Sequence, residues 1–245
     1  MGLELYLDLL SQPCRAVYIF AKKNGIPFEL RPVELFKGQH LTGALFQKSS
    51  SLQRLPTLKD GDFVLTESVA IMIYLSFKYQ TAEHWYPPDL HARARIHEYL
   101  GWHADCIRGV FGVLLWTKVL APLIGVQVPE EKVQRNRTAM DQALQVLQDK
   151  FLGDRAFLTG RQVALADLLA LEELMQPVAL GYDLFEGRPQ LAAWCERVET
   201  FLGTDLLQEA RSSILNVMER VAKKTFLDPL PEAYPFMLLR ISKIP

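Results

Sequence analysis

Two places in this chain put a hydroxyl beside the exposed amides that open a helix. Ser11-Gln12-Pro13 begins one helical pattern and Thr66-Glu67-Ser68 begins another. The first turn of a helix leaves N–H groups unpaired and carries a partial positive charge, so each place favours an anion. A ligand with a thiolate and a carboxylate would use both. At Ser11 the chemistry is definite. A free thiol, with a pKa of about 8.5, is only roughly 3% ionised at pH 7. A hydroxyl donor and helix amides would lower that by about two units, worth roughly 2.7 kcal/mol, and keep most of a bound thiol ionised. Ser11 would then donate a hydrogen bond to sulfur and would not itself attack. The plainer alternative is a serine that only caps its helix. Thr66-Glu67-Ser68 has the same two readings: an N-cap, or Glu67 holding an ammonium while Ser68 and its N–H hold a carboxylate. Cys14 completes Ser11-Gln12-Pro13-Cys14, a redox Cys-x-x-Cys with its first cysteine replaced. The reactive thiol of such motifs is normally the first, which argues against thiol–disulfide exchange.

The elements that must position these residues follow from periodicity. Leu3 to Asp8 alternates as a strand, and the Ser11 helix carries Val17, Phe20 and Ala21 on one face before stopping at Asn24-Gly25. Phe28 to Glu34 reads as a second strand, parallel to the first if the helix is a crossover. Residues 36 to 53 are polar and irregular. Two short apolar runs around Asp60-Gly61 form a hairpin, and Thr66 caps a helix running to about Tyr79. This βαβ-then-ββα order is the thioredoxin-like arrangement, an α/β domain over residues 1–79. Gln80 to Asp89, with Pro87-Pro88, reads as a linker. From 90 to 245 the pattern is all-helical. Met140, Ala143, Leu144, Leu147 and Phe151 share one helix face, as do Leu191, Trp194, Cys195, Val198 and Leu202. Leu165 to Leu174 is apolar nearly all round and reads as a central helix. A proline-rich tail from Lys223 turns apolar again at Phe236 to Ile241. No internal repeat or low-complexity tract is present.

Bulk composition excludes several classes. Of 245 residues, 49% are apolar and 22% charged, enough for a packed core, and the net charge is −1. That balance gives no electrostatic reason to expect nucleic acid or an anionic membrane as partner. Three scattered cysteines, Cys14, Cys106 and Cys195, suit a reducing compartment. The N-terminus is a poor signal peptide, and Tyr6 stands where myristoylation wants Ser or Thr. The apolar stretch Val110 to Val128 is broken by Lys118 and Pro122 and reads as core. The expectation is a soluble protein of the cytoplasm, with the nucleus also open to it.

The segments MGLELYLDLLSQPCRAVYIFAKKNGIPFEL, KGQH, LPTLKDGDFVLTES, HEYLGWHADCIRG and LFEGRPQLAAW resemble the theta-class glutathione transferases, and the resemblance covers essentially the whole chain. It implies that glutathione is a co-substrate and that no cofactor is needed. It places Ser11 where theta enzymes use a serine to hold the glutathione thiolate. It implies that His40 and Arg54 bind the glycine end, with Leu41 beside His40. Leu55, before a cis Pro56, would pair its backbone with the cysteinyl unit. Glu67 and Ser68 would take the γ-glutamyl end, and Asp105 would reach the neighbouring glutathione of a homodimer. The acceptor, a small hydrophobic electrophile, would sit in the helical domain under the C-terminal tail. Arg108, Trp116 and Arg240 would grip an anionic leaving group there. The resemblance further implies sulfatase action on arylmethyl sulfates, and peroxidase action beside it.

Three departures stand out. The His40–Pro56 stretch is one residue longer than the family pattern, which leaves Lys48 as an alternative to Arg54. Leu41 replaces a commonly polar residue. Ala164 stands where the central helix usually has a capping Ser or Thr ahead of Asp167, a loss of about 1 kcal/mol. Cys195 reads as core and Cys106 as passive. His84, His91, His97 and His103 lack zinc-site spacing. Arg93, Arg95, Arg135 and Arg137 read as solvated or dimer-facing. The rival to an enzyme is a non-catalytic binding module on the same fold.

Overall fold

Leu3, Leu5 and Leu7 are buried while Glu4 and Tyr6 stay partly exposed, the period-two pattern of a half-buried strand, β1 (Leu3–Leu7). The computed structural model describes residues 2–42, 54–223, 225 and 231–244. In it β1 is parallel to β2 (Glu29–Pro32) and antiparallel to β3 (Thr57–Asp60), which pairs in turn with β4 (Phe63–Thr66). The sheet order is β2-β1-β3-β4. β1 stops at Leu7 and not at Asp8, because the Asp8 carboxylate turns to accept the N–H groups of Leu10 (3.0 Å) and Leu35 (2.9 Å). β2 is shorter than the apolar pattern from Phe28 to Glu34 suggests. It is exposed along its length and ends at Pro32, which has no N–H to give, as suits an edge strand.

Helix α1 (Gln12–Lys23) crosses over between the parallel strands and ends at Asn24, with Gly25 in the left-handed region at φ 63°. Its ten residues from Gln12 to Ala21 are all buried, a wider face than Val17, Phe20 and Ala21 alone suggest. The reason is position: α1 packs against α3 (Ser68–Lys78) on one side and against α6 (Leu165–Ala179) and α8 (Thr204–Leu215) of the helical domain on the other. A short helix α2 (Gln39–Thr42) follows β2. The cap of α3 is Glu67, one residue beyond the expected Thr66. Between the domains, Trp85 is 1% exposed and meets Phe20 and Phe201 edge-on at 5.2 and 5.7 Å.

Helix α4 (Leu90–Leu123) is capped by Asp89, which accepts Ala92 N–H at 2.8 Å, and contains π-helical turns at His103–Ile107 and Trp116–Leu120. By length and composition it has a window apolar enough to cross a bilayer, but Phe111, Leu114, Val119 and Ala121 are buried inside the protein. The faces foreseen on α5 (Glu130–Val146, with its π-helical continuation to Leu152) and α7 (Pro189–Leu202) are buried as expected. Helix α6 is buried at every residue from Leu165 to Pro177. After α9 (Val217–Ala222) the tail forms α10 (Tyr234–Ser242). Its Met237 packs with Leu120, and Ile241 and Ile244 pack with Val113 and Ala121, all beside Trp116 and Ile124. Each such burial is worth about 1.5–3 kcal/mol before chain entropy is counted.

Candidate active site

Strand register decides which residues meet. Tyr6 pairs with Thr57 and Thr57 with Thr66, while Leu7 pairs with Pro32. One end of the sheet therefore carries the start of α1, the Leu55–Pro56 step, the start of α3 and the chain leading to His40. The two helix heads picked out from sequence face the same space.

Ser11 is the N-cap of α1 and is 8% exposed. Its side chain makes no capping hydrogen bond, so the plain capping reading does not describe it. Its backbone is pinned instead, with Ser11 N–H donating to Asp8 carbonyl at 2.9 Å and Arg15 N–H donating to Ser11 carbonyl at 3.0 Å. Pro13 contributes no N–H, which leaves Gln12 and Cys14 to supply first-turn amides.

At the second head, Glu67 is exposed and held at φ 70°, ψ 116°. A non-glycine residue in such backbone costs about 1–3 kcal/mol, a strain that clusters at ligand clamps. Ser68 follows as the first residue of α3. The Leu55–Pro56 peptide is cis. Leu55 packs partly on the core, and Arg54 is exposed, its carbonyl accepting the Thr57 hydroxyl at 2.8 Å. His40 is buried in α2, with Nδ1 lacking a hydrogen-bond partner among the described residues and Phe236 of α10 edge-on at 6.0 Å. Burial pulls its pKa down to about 4, so the ring is neutral at pH 7 and would meet an anion as an N–H donor. Leu41 follows in α2. Its side chain, Lys48 and most of the lengthened His40–Pro56 segment lie outside the described residues.

Arg108 joins the two domains at the site. Its Nη1 donates to Gln12 Oε1 at 2.8 Å and lies 3.4 Å from Glu173 Oε1 on α6. Gly112 lies beside this pair, where a Cβ would sit at ordinary contact distance from Arg108 Nη1 (3.5 Å) and Gln12 Nε2 (3.6 Å) and more tightly, at 3.3 Å, against the Arg108 carbonyl oxygen. Arg240 on α10 is drawn below the usual guanidinium range by partial withdrawal from water and by the positive charges of Arg108 and Arg54. Three arginines named from sequence thus crowd one region, which favours an anion among them. Trp116 is half-buried and touches both apolar clusters under α10. Asp105 is exposed on the first π-helical turn of α4. Gln12, Glu173 and Gly112 escaped the sequence reading. A signal existed for Glu173: two adjacent glutamates in a largely apolar, buried helix must have partners.

Cys14 and Cys195 are poor nucleophiles where they stand. Burial pushes the Cys14 thiol up to about 12, only partly countered by the Asp8 backbone and the Ser11 hydroxyl, and pushes Cys195 up to about 12 as well. Cys106 is half-buried. Among the described residues, no group of three or more His, Cys, Asp or Glu side chains is placed to hold a metal ion. His103 is buried and joined to the Tyr99 hydroxyl at 2.9 Å.

Residues 4–76 match the family described as glutathione S-transferase, N-terminal domain, and residues 107–200 match glutathione S-transferase, C-terminal domain. The chain is 74% identical to human glutathione S-transferase theta-2B and 70% identical to rat glutathione S-transferase theta-2, each over the full length of both proteins. Human glutathione transferase theta-2, crystallised with glutathione, is 73% identical, covers all of both chains and superposes with a TM-score of 0.98. A human theta-class transferase bound to the glutathione conjugate of 1-menaphthyl sulfate superposes equally well at 74% identity, again over both whole chains. Likeness at this level across a thioredoxin-like domain and the helical domain behind it admits one assignment, and the chain belongs to the glutathione S-transferase family as a theta-class transferase of the theta-2 type.

Proposed function

We propose that Ser11 holds the sulfur of glutathione as a thiolate, and that this thiolate displaces sulfate from arylmethyl sulfates. The observation that carries the reading is the Ser11 side chain, sheltered at a helix head yet making no capping hydrogen bond. Glutathione would lie along the end of the sheet, its glycine carboxylate at His40 and Arg54, with Leu41 alongside, and its cysteinyl backbone at Leu55. Its γ-glutamyl group would lie at Glu67 and Ser68. The thiol proton leaves to solvent. The sulfur lone pair then forms a C–S bond at the benzylic carbon as the C–O bond breaks, and its electron pair departs with sulfate. Arg108 and Arg240 would take up the charge growing on that oxygen, with Trp116 beside the aromatic ring. Support for this acceptor class comes from the human theta-class relative that holds the conjugate of 1-menaphthyl sulfate. Hydroperoxides are a second acceptor. The thiolate attacks the peroxide oxygen, alcohol leaves, and a second glutathione reduces the sulfenate to give disulfide and water.

The same reading takes the protein as a cytoplasmic homodimer, also admitted to the nucleus, that uses glutathione as co-substrate and needs no metal or cofactor. Asp105 would reach across the dimer. Nucleic acid and membrane have no part in it. The test is sulfate release from 1-menaphthyl sulfate at pH 7 with glutathione present. Ser11→Ala removes the hydroxyl and keeps the helix amides, so it should lower turnover at pH 7 by up to about 25-fold, the ratio of thiolate fractions for a full two-unit change in pKa, and the gap should close above pH 9. Arg108→Ala should depress sulfate release more than conjugation with uncharged leaving groups. Wild-type protein inert toward benzylic sulfates and hydroperoxides alike would end the proposal.

A further inference from the structure

Arg15 is fully buried four residues after Ser11, and its guanidinium uses all five of its N–H donors. Nε donates to Glu172 Oε2 at 2.6 Å. Nη1 donates to the carbonyls of Leu9 and Leu10, both at 3.1 Å. Nη2 donates to the Glu172 carbonyl at 3.0 Å and to Gln176 Oε1 at 3.3 Å. Leu9 and Leu10 are the two residues before Ser11, whereas Glu172 and Gln176 belong to α6 of the other domain. Glu172 is itself held on its second oxygen by Arg211 Nε at 3.0 Å, and Arg211 is paired with Glu199. The next residue, Glu173, is the partner of Arg108.

From this geometry we infer that Arg15 is a positioning residue for the chemistry, fixing the Ser11 turn to the helical domain so that thiolate and leaving-group arginine keep one spacing. Asp8 holds the same turn from the sheet side through Leu10 N–H. Without the Arg15 fork, two carbonyls beside Ser11 lose their donors and the turn is free to shift its hydroxyl. Adjacent glutamates on one buried helix then divide the work. Glu172 anchors the sulfur side through Arg15, and Glu173 anchors the acceptor side through Arg108. The inference rests on the Ser11–thiolate reading above.

Arg15→Lys keeps the charge and loses the fork, so it isolates geometry from electrostatics. The readout is the ultraviolet absorbance of glutathione thiolate, titrated against pH in the full-length protein. Arg15→Lys should raise the apparent thiol pKa by about one unit, with turnover near pH 6.5 falling roughly fivefold and recovering above pH 9. In a Ser11→Ala background the same substitution should move the titration no further, because the arginine acts through the serine. A mainly structural arginine would lower melting temperature and leave the titration unchanged, which overturns the inference. Equal shifts with and without Ser11 overturn it too. If Arg15→Lys does not fold, Glu172→Gln carries the same cycle, since it keeps an oxygen for Nε and weakens the anchor. If Ser11→Ala itself leaves the titration unmoved, the thiolate reading fails first and this inference with it. If Ser11→Ala shifts it and neither anchor variant does, the inference alone fails.

Discussion

His40 shows how burial sets both a residue's chemistry and its pH range. Desolvation lowers its pKa from about 6.5 to about 4, so the folded protein binds this proton less readily than the unfolded chain does. The stability it contributes is therefore present above pH 6.5 and is lost as pH falls from 6.5 toward 4, amounting to roughly 3 kcal/mol across that window. His103 acts in the same direction, pulled down to about 3 by burial and by the nearby Arg108 charge. Thermal melts of His40→Gln should fall less steeply than wild type between pH 6.5 and 4, while affinity for glutathione drops. An unchanged slope would mean that His40 is already charged, or solvated, in the folded protein. Residue type and place alone pointed to the helix heads at Ser11 and at Glu67-Ser68, whereas His40, Arg54, Arg108 and Arg240 entered only through the family resemblance. Glu67 was legible as a candidate but not as a strained one, since nothing in its type announces φ 70°.

At the scale of elements, periodicity located the helices and strands well, and errors came where side chains override it. Asp8 ended a strand by capturing amides, and Pro32 shortened another. The π-helical turns of α4 left no mark in the apolar pattern, yet one of them carries Asp105 and the other opens with Trp116. The missing cap at Ala164 was legible and is instructive. Asp167 accepts N–H groups from Ala164, Leu158 and the Trp194 ring at 2.9, 2.9 and 2.8 Å, so half of a reciprocal cap survives. What is lacking is an oxygen at 164 for the first turn of α6. Ala164→Ser should supply it and raise unfolding free energy by about 1 kcal/mol in urea titrations. Turnover per folded molecule should stay the same, because no reacting group is touched. A loss of stability would mean that the hydroxyl cannot be fitted in this buried position. Asp167→Ala should do the opposite, stranding three buried donors at about 1–3 kcal/mol each.

For the whole molecule, the decisive feature is that α1 is buried on both sides and Trp85 bridges Phe20 to Phe201, so the proposed chemistry would lie between domains rather than inside one. A sequence read in segments finds each domain, but the Arg15–Glu172 and Arg108–Glu173 links span long stretches of chain and leave no local pattern. One surface remains to be explained at this scale. Phe77 is 61% exposed, Leu90 75% and Phe63 48%, where single exposed apolar residues would pass without comment. Here they come with aromatic neighbours: Phe77 meets Tyr86 at 5.9 Å, Arg93 lies over the Tyr86 ring at 4.6 Å, and Phe63 meets Tyr74 at 5.2 Å. An aromatic and arginine-bearing patch is the composition that protein interfaces favour. The proposed homodimer would cover it. Phe77→Glu places a charge on that patch without disturbing the core, because the ring it replaces is mostly in water. Sedimentation velocity at micromolar concentration should then report a monomer of about half the wild-type mass, with the melting transition little changed. If Asp105 does serve the neighbouring site, affinity for glutathione should fall on dissociation, and Asp105→Asn should add nothing further to that loss in the monomer. A variant that still sediments as a dimer would remove this face from the interface.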